Sequence, residues 1–183
     1  YCIDFQTGAN LISFPALPFN GLDDIPEECI SSIIGEGDAA LYFEGIGWIG
    51  GLTELSCEDG YWLQNSCDDF EFCYYGTECP ETISYSLEPG NNLISYQCLE
   101  CGDISEVLPD DAQECISSII GEGDAALNFD GIGWIGSLTE LCPADGYWVY
   151  NQCDDISFRY NCSESQARSV TLSTPPYPYY QSS

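Results

Sequence analysis

The apolar and polar positions in the first third of the chain predict a strand, a helix and then several strands. An apolar run over residues 11–14 follows the turn residues Gly8-Ala9-Asn10, which predicts a buried strand. Residues 24–34 place apolar side chains at helical spacing before Gly35, a pattern typical of a helix that ends at glycine. Residues 39–43, 48–49 and 61–63 are apolar or aromatic runs separated by glycine turns. They predict strands, and the first two form a hairpin.

The same plan returns in the second half of the chain. Residues 29–41 recur letter for letter at residues 115–127, a shift of 86 positions (115 − 29 = 86). Asn92 matches Asn10 at a shift of only 82 (92 − 10 = 82), so a loop between the matched segments gained four residues. The duplication predicts a first repeat domain at 1–83, a second at 84–168 and an extended Pro/Tyr-rich tail at 169–183. The expected class is α+β: two tandem, small, disulfide-stapled, β-rich repeats, each a strand, a short helix and several antiparallel strands.

The cysteines predict an oxidising location. Six of the twelve precede residue 80 and six follow residue 97, so each half can close three bridges. We expect a secreted protein, extracellular or at the cell surface. The chain starts at Tyr1 and contains no Met, from which we expect an initiator and a signal peptide to have been removed. No apolar run approaches the roughly 20 residues of a membrane span, so no membrane insertion is expected. The cysteines are Cys2, Cys29, Cys57, Cys67, Cys73, Cys79, Cys98, Cys101, Cys115, Cys142, Cys153 and Cys162.

Six cysteines allow 15 connectivities, and the sequence does not choose among them. Equivalent positions in the two copies favour pairing Cys29 with Cys57 and Cys115 with Cys142, which would fix the helix to the following strands. The next pair is Cys153 with Cys162, and Cys98 with Cys101 could form a tight bridge. Cys2 is left to pair across the copies or between molecules.

Charge excludes several functions. The formal net charge of −29 repels nucleic acid and anionic membranes, and it makes any self-association dependent on ions. The chain has no His and no Lys, so a nucleophile would lack its base, and we expect no enzyme. The acid pairs at 68–69 and 154–155 are adjacent in sequence and would point to opposite faces of a strand, which fits solvated charge better than glycosidase chemistry.

The motifs resemble a known repeat. Asn10-Leu11-Ile12-Ser13, then residues 34–37 (Ile-Gly-Glu-Gly), Trp48, Leu52 and residues 60–62 (Gly-Tyr-Trp) are similar to the NLIS…IGEG…WxGSL…GYW repeat of secreted bacterial, often marine, proteins. The second copy restores the GSL at residues 136–138. The resemblance covers roughly residues 8–66 and 90–152. It implies a repeat fold and an extracellular, surface-attached or adhesive setting, without a defined activity.

The repeated Gly-Glu-Gly-Asp element has two interpretations. Its carboxylates, Glu36, Asp38, Glu122 and Asp124, could hold calcium, which takes six to eight oxygen ligands. Alternatively its glycines end a helix and let the chain turn close to a neighbouring strand, which is the favoured interpretation. No cofactor is expected, and calcium is the one candidate ion.

Two further kinds of site concern sugars. Trp48, Trp62, Trp134 and Trp148 could stack on glycans, although large rings in small domains are more often core. Asn161 begins a glycosylation sequon whose middle residue is Cys162.

The favoured function is a secreted structural subunit that self-assembles into an extracellular filament or surface layer. Its partners would be copies of itself, joined through terminal segments by strand addition, with Tyr177, Tyr179 and Tyr180 as assembly residues. The alternative is a monomeric carbohydrate- or calcium-binding adhesive module.

Overall fold

The computed structural model describes residues 1–162 of the protein, and strands make up 48% and helices 9% of these residues. The predicted tail and Tyr177, Tyr179 and Tyr180 lie outside the described residues. The fold is therefore predominantly β, which corrects the expected α+β class. The strands are β1 (Cys2–Phe5), β2 (Gly8–Ser13), β3 (Ala16–Pro18), β4 (Ile30–Ile34), β5 (Ala39–Phe43), β6 (Gly47–Gly50), β7 (Gly60–Asn65), β8 (Phe70–Cys73), β9 (Gly76–Glu78), β10 (Tyr85–Leu87), β11 (Gly90–Ser95), β12 (Gly102–Asp103), β13 (Ile116–Ile120), β14 (Ala125–Phe129), β15 (Gly133–Gly136), β16 (Glu140–Leu141), β17 (Gly146–Asn151) and β18 (Ile156–Phe158).

Each repeat is built around one five-stranded antiparallel sheet. The strand order is β2-β7-β4-β5-β6 in the first repeat and β11-β17-β13-β14-β15 in the second. Four two-stranded ladders surround these sheets: β1-β8 and β3-β9 in the first repeat, β10-β18 and β12-β16 in the second. The predicted strand at residues 11–14, the hairpin of β5 and β6, and the aromatic strand β7 are thereby confirmed.

The predicted helix over residues 24–34 is wrong. A 3₁₀ turn covers Gly21–Asp24, and residues 30–34 form β4. The register between β4 and β7 shifts between Ile30 and Ser32, so Ile30 and Ile33 both face the core although they are three residues apart. That bulge reproduces the apolar spacing of a helix, while β-branched isoleucines favour a strand. In the second repeat short helices do form, α1 (Ile104–Val107) and α2 (Asp110–Cys115), and α2 ends where β13 begins.

Buried asparagines fix the turns that lead into the edge strands β2 and β11. The Asn10 side chain accepts a hydrogen bond from the backbone amide of Gln6 and donates to the carbonyls of Gln6 and Gly8. Asn92 makes the same three bonds with Glu88 and Gly90. This satisfies turn groups that are removed from water, which explains why the two copies share the asparagine.

Two hydrophobic cores form, one under each large sheet. Each core combines the inner face of the sheet with the flanking ladders, and large aromatic rings fill it. The first core contains Ile3, Phe5, Ile12, Phe14, Ala16, Leu22, Ile25, Ile30, Ile33, Ala40, Tyr61, Leu63 and Tyr74. The second contains Tyr85, Leu87, Ile94, Tyr96, Cys98, Ile104, Val107, Leu108, Ala112, Ile116, Ile119, Ala126, Leu138, Leu141, Tyr147, Val149, Phe158 and Tyr160.

All twelve cysteines are paired within the chain, three bridges in each half, as predicted. The predicted partners, however, are wrong. The bridges are Cys2–Cys73, Cys29–Cys67, Cys57–Cys79, Cys98–Cys162, Cys101–Cys142 and Cys115–Cys153.

Strand direction explains the true pairing. Because β4 and β7 are antiparallel, Cys29 at the start of β4 meets Cys67 just beyond the end of β7, whereas Cys57 lies before the other end of β7. The same geometry joins Cys115 to Cys153. Cys2 is the cross-strand partner of Cys73 between β1 and β8, so it pairs neither across the copies nor between molecules.

Candidate functional site

The two repeats bind each other through a reciprocal pair of hydrogen bonds. The outward-facing amide of Leu11, on edge strand β2, donates to Glu122 Oε2 of the second repeat at 2.7 Å. In return, the amide of Leu93 on β11 donates to Glu36 Oε2 of the first repeat at 2.6 Å. Hydrogen bonds to a charged acceptor are stronger than neutral ones. We call the contacts made by Leu11, Ser13, Glu36, Leu93, Ser95 and Glu122 the inter-repeat junction.

Two fully buried serines extend the junction. The amide and hydroxyl of Ser13 donate to the carbonyls of Ala144 and Asp145, both at 2.8 Å. The amide of Ser95 donates to the Glu58 carbonyl at 2.9 Å, and its hydroxyl donates to the Cys57 carbonyl at 2.6 Å. Each edge strand is thereby closed by the other repeat, which protects it from pairing with other chains.

Two glycines allow the repeats to approach this closely. A Cβ on Gly60 would lie 2.9 Å from the carbonyl oxygen of Ile94, and a Cβ on Gly146 would lie 2.7 Å from that of Ile12. Both neighbours are backbone atoms of the opposite repeat, which cannot move aside without breaking the junction. The glycine that opens each Gly-Tyr-Trp motif is therefore required by contact between repeats.

A tyrosine and an aspartate lie beside each half of the junction. Tyr147 Oη accepts from the amide of Cys142 at 2.8 Å and donates to Asp145 Oδ2 at 3.3 Å, and Tyr61 makes the matching bonds with Ser56 and Asp59. Both aspartates are exposed as whole residues, but each carboxyl accepts a hydrogen bond from a buried tyrosine and is itself partly buried. Burial therefore raises the pKa of Asp145, with Asp124 and Glu122 adding repulsion, and burial and Glu58 raise the pKa of Asp59.

A cavity of about 480 Å³ lies between the repeats on one side of the junction. Acidic residues from both repeats line it: Asp4, Glu122, Asp124, Glu140 and Asp145. Of the predicted calcium ligands, Glu122 and Asp124 are therefore brought to one cavity. Glu36 and Asp38 belong to the opposite half of the junction and do not line this cavity.

Within residues 1–162, one group of three metal-binding residue types brings its ligand atoms within 4.8 Å of one another, namely Cys2, Glu71 and Cys73. Both sulfurs of that group are in a disulfide. The glycine turns follow strands β4 and β13, so the interpretation that they end a helix is wrong. Glu36 and Glu122 in these turns join the repeats, and calcium binding stays a prediction.

The four tryptophans divide into two pairs. Trp48 and Trp134 pack against the cores, with Trp48 edge-on to Tyr42 and Trp134 Nε1 donating to Gln113 at 3.0 Å. Trp62 and Trp148 are half-buried on the opposite, outer sides of the sheets, across from Ile34 and Ile120. All four tryptophans are half-buried, and Trp48 also lines a surface pocket with Asn20 and Asp23, so glycan stacking stays a prediction for both pairs.

The outer sides of the sheets carry large apolar side chains. On the first outer face, Ile34, Leu41, Phe43 and Ile49 are 47–49% exposed and lie on the same side of the sheet as Trp62. On the second outer face, Ile120, Leu127, Phe129 and Ile135 are 46–52% exposed and lie on the same side as Trp148. The strand register places each set on one side of its sheet. An apolar face of this kind is typical of an interaction surface.

Two other predicted sites have structural partners. The Asn161 side chain is exposed and donates to the Glu106 carbonyl at 3.2 Å, while Cys162 is bonded to Cys98. Asp69, one of the acids interpreted as solvated charge, accepts from the amide and hydroxyl of Thr7.

The sequence reasoning missed the residues that join the repeats, namely Leu11, Leu93, Ser13, Ser95, Gly60 and Gly146. Their signal was available, since all six belong to letters shared by both copies. Residues that both copies share indicate a common fold, and in this protein the same residues also form the contact between the two repeats.

Comparison of the chain with protein-family models, curated sequences and solved structures finds no match. No helix among residues 1–162 is long and apolar enough to cross a membrane. The six disulfides suggest an oxidising, extracellular environment.

Proposed function

We propose that the protein is a secreted structural subunit that self-assembles into an extracellular filament or surface layer, joined through its terminal segments. The observation that carries this proposal is the distribution of charge. All 33 charged residues (31 + 2) precede residue 169, so residues 169–183 are an uncharged segment attached to a body of net charge −29. An uncharged Pro/Tyr-rich segment can contact another copy without bringing further carboxylates together.

The architecture of the body supports a durable subunit. Six disulfides and two cores stabilise 162 residues, and every cysteine is paired within the chain. Covalent links between copies are therefore not part of the proposed assembly. Contacts between copies would be non-covalent and favoured by salt or divalent cations, which screen or bridge carboxylates. The proposed role involves no catalysis.

Deletion of residues 169–183 tests the terminal mechanism. We expect the intact chain to form long particles in negative-stain microscopy, and the shortened chain to lose them while keeping its six disulfides by mass measurement. A control lacking only residues 182–183 keeps Tyr177, Tyr179 and Tyr180 and should assemble normally. Unchanged filaments after the long deletion would disprove a role for the tail. A single-chain mass for the intact protein at every salt and calcium concentration would disprove assembly itself.

A monomeric adhesive module is the second candidate, and two observations favour it. Trp62 and Trp148 are half-buried on outer faces where a sugar ring could stack, and Glu122 and Asp124 line an acidic cavity that could hold calcium. The resemblance to surface-attached bacterial repeats agrees with either candidate.

The calcium form of this second candidate can be tested without breaking the junction. Glu122→Gln keeps an oxygen acceptor for the Leu11 amide and removes the charge, and Asp124→Asn removes a second carboxylate from the cavity. Calorimetric titration of the native protein should release heat that the double variant lacks. Absence of heat and of a thermal shift in the native protein would exclude calcium, and a sugar array without binding would exclude the glycan form.

A further inference from the structure

The outer faces are free of charge although the protein is strongly acidic. Side chains alternate between the two sides of a sheet along each strand, and cross-strand partners lie on the same side, so the strand register shows which side chains share each face. The first outer face adds Ser32, Ala39 and Gln64 to its five large apolar residues, and the second adds Ser118, Ala125 and Tyr150. No Asp or Glu occupies these positions, whereas Glu36, Asp38 and Glu44 lie in the turns at the rim of the first face. Each face is an apolar patch with acids in the turns at its ends, and Glu122, Asp124 and Asp130 hold these positions at the second face.

Part of each face is already used to bind a partner repeat. Leu11 is the cross-strand neighbour of Trp62 and therefore lies on the first outer face, and Leu93 holds the same place beside Trp148. Both leucines are almost fully buried, at 2% and 1% exposure, because each lies against a glycine at the start of β17 or β7 in the other repeat. The exposed residues continue this contact surface across the next four strands, where nothing in residues 1–162 covers them.

We propose that the two outer faces are docking surfaces for a second copy of this chain, outer face against outer face. The five large side chains are identical in the two repeats, with Ile34, Leu41, Phe43, Ile49 and Trp62 answering Ile120, Leu127, Phe129, Ile135 and Trp148. Any outer face can therefore meet any other with the same side chains. A chain with two such faces binds two neighbours, which makes an open array instead of a closed pair.

The available area fits a weak contact. Four side chains of each face expose about half of roughly 200 Å² each, or about 400 Å², and the half-buried tryptophan adds less than about 100 Å². Two faces in contact therefore bury roughly 800–900 Å², which is the range of weak, transient association. Rim carboxylates on both copies repel each other at low salt. Pairing of faces therefore should strengthen with protein concentration and with ionic strength.

This inference rests on the proposed self-assembly and adds a second contact to it. Faces of other copies can cover both outer faces of one chain, because every outer face carries the same five large side chains. A tail that tethers one copy to the next raises the effective concentration of the faces, so a weak contact becomes sufficient in the assembled state. Faces alone, at this affinity, would give arrays that shorten and dissociate on dilution.

The decisive experiment places a charge in each outer face. The variant Leu41→Asp with Leu127→Asp puts a carboxylate in each contact. The control Thr53→Asp with Thr77→Asp adds the same two charges at exposed positions that lie on neither outer face and do not line the cavity. Leu41→Thr with Leu127→Thr is the milder variant, since threonine suits a strand. Circular dichroism and the mass of the oxidised protein establish that each variant folds.

Sedimentation equilibrium on the full chain and on the chain lacking residues 169–183 gives the readout, at about 0.15 M and about 1 M salt. We expect the shortened chain to show a concentration-dependent mass above one chain, and the aspartate variant to raise the dissociation constant by roughly tenfold or more, since an unpaired charge would be buried. The threonine variant should have a smaller effect in the same direction, and the control none.

Two outcomes would overturn the proposal. If the full chain polymerises while the shortened chain with native faces remains a single chain, the tail mechanism stands and the outer faces bind no copy. If the aspartate variant associates as strongly as the control, the faces are likewise not the contact, and loss of sugar binding in that variant would assign them to a glycan instead. Filaments that survive the tail deletion and vanish in the aspartate variant would instead disprove the tail mechanism alone.

Discussion

The two repeats have the same kind of sheet and make the same junction contacts, but their disulfides differ. Strand order, register, the bulge in β4 or β13 and the reciprocal bonds to Leu11 and Leu93 are the same in both. One bridge is also equivalent, Cys29–Cys67 and Cys115–Cys153, each with a sequence separation of 38. The shared set is what the sheet and the junction require, because it fixes the ends of the central strands.

The other four bridges join segments outside the five-stranded sheets, and these segments differ between the repeats. Cys2 and Cys73 join β1 to β8, whereas Ser84 and Arg159 extend the corresponding ladder of β10 and β18. Both ladders carry aromatic contacts: Tyr85 packs against Phe158 and Tyr160 in the second repeat, and in the first repeat Phe5 packs against Phe70 and Phe72 against Tyr74. The disulfide of the first repeat is therefore an additional link on an aromatic ladder that both copies share.

The largest expected effect comes from the equivalent bridges. Cys29→Ser with Cys67→Ser, and Cys115→Ser with Cys153→Ser, should each lower the free energy of unfolding by about 2–5 kcal/mol, because they open loops of the same length at the same place. Chemical denaturation measures both. A difference of several kcal/mol between the two variants would show that the repeats do not rely on this bridge equally.

The glycines of the junction come next. Gly60→Ala and Gly146→Ala should each destabilise the protein by about 1–3 kcal/mol, because the new Cβ meets a backbone oxygen of the opposite repeat. Gly35→Ala is the matched control, since its Cβ would meet a side-chain atom of Tyr61 at 3.4 Å, an ordinary contact. Thermal unfolding separates them, and equal effects at all three positions would argue against close contact between repeats.

The junction serines distinguish the two halves. Ser95 Oγ donates to the Cys57 carbonyl and is also bonded to Tyr85 Oη at 2.9 Å, whereas Ser13 Oγ has the single carbonyl partner at Asp145. Ser95→Ala should therefore cost about 1–2 kcal/mol and more than Ser13→Ala, because it leaves a buried tyrosine hydroxyl with one partner fewer. Denaturant titrations of the two variants compare the costs. Equal costs would mean that the tyrosine bond adds nothing.

The smallest expected effect depends on pH. The folded-state pKa values of Asp59 and Asp145 are raised, so their ionised forms weaken the folded state at neutral pH, and this penalty disappears as pH falls through those values. Asp59→Asn and Asp145→Asn should each raise stability at pH 7, by about 0.5 kcal/mol after solvent screening. The gain should shrink in acid. Thermal unfolding from pH 7 to pH 3 tests this, and a gain that is independent of pH would contradict the assignment.

The sequence predicted the strands well and the first helix wrongly for one physical reason. Alternation and turn residues identify β2, β5, β6 and β7 directly, but the bulge in β4 sets Ile30 and Ile33 on one face and imitates helical spacing. Bulges depend on the partner strand, which a local pattern does not contain. The predicted cysteine partners were wrong for the same reason. Which cysteines pair depends on which strand ends lie next to each other, and the sequence pattern does not show that.

The sequence identified some residues of the candidate site but not the contacts that they make. The Gly-Glu-Gly motif singled out Glu36 and Glu122 as possible calcium ligands, and the structure shows a role that was not predicted, a hydrogen bond from the other repeat. Their partners, the backbone amides of Leu11 and Leu93, carry no side-chain signature, so only the docking of one repeat on the other reveals them. Both outer faces were visible only once the register was known.

Amide hydrogen exchange at Leu11 and Leu93 tests the reciprocal junction most directly. In the native protein both amides should be protected, because Glu122 and Glu36 bind them. Glu122→Ala should speed exchange at Leu11 while Leu93 stays protected, Glu36→Ala should do the opposite, and the glutamine variants should restore protection. Fast exchange at both amides in the native protein, or an unchanged Leu11 in Glu122→Ala, would contradict the account.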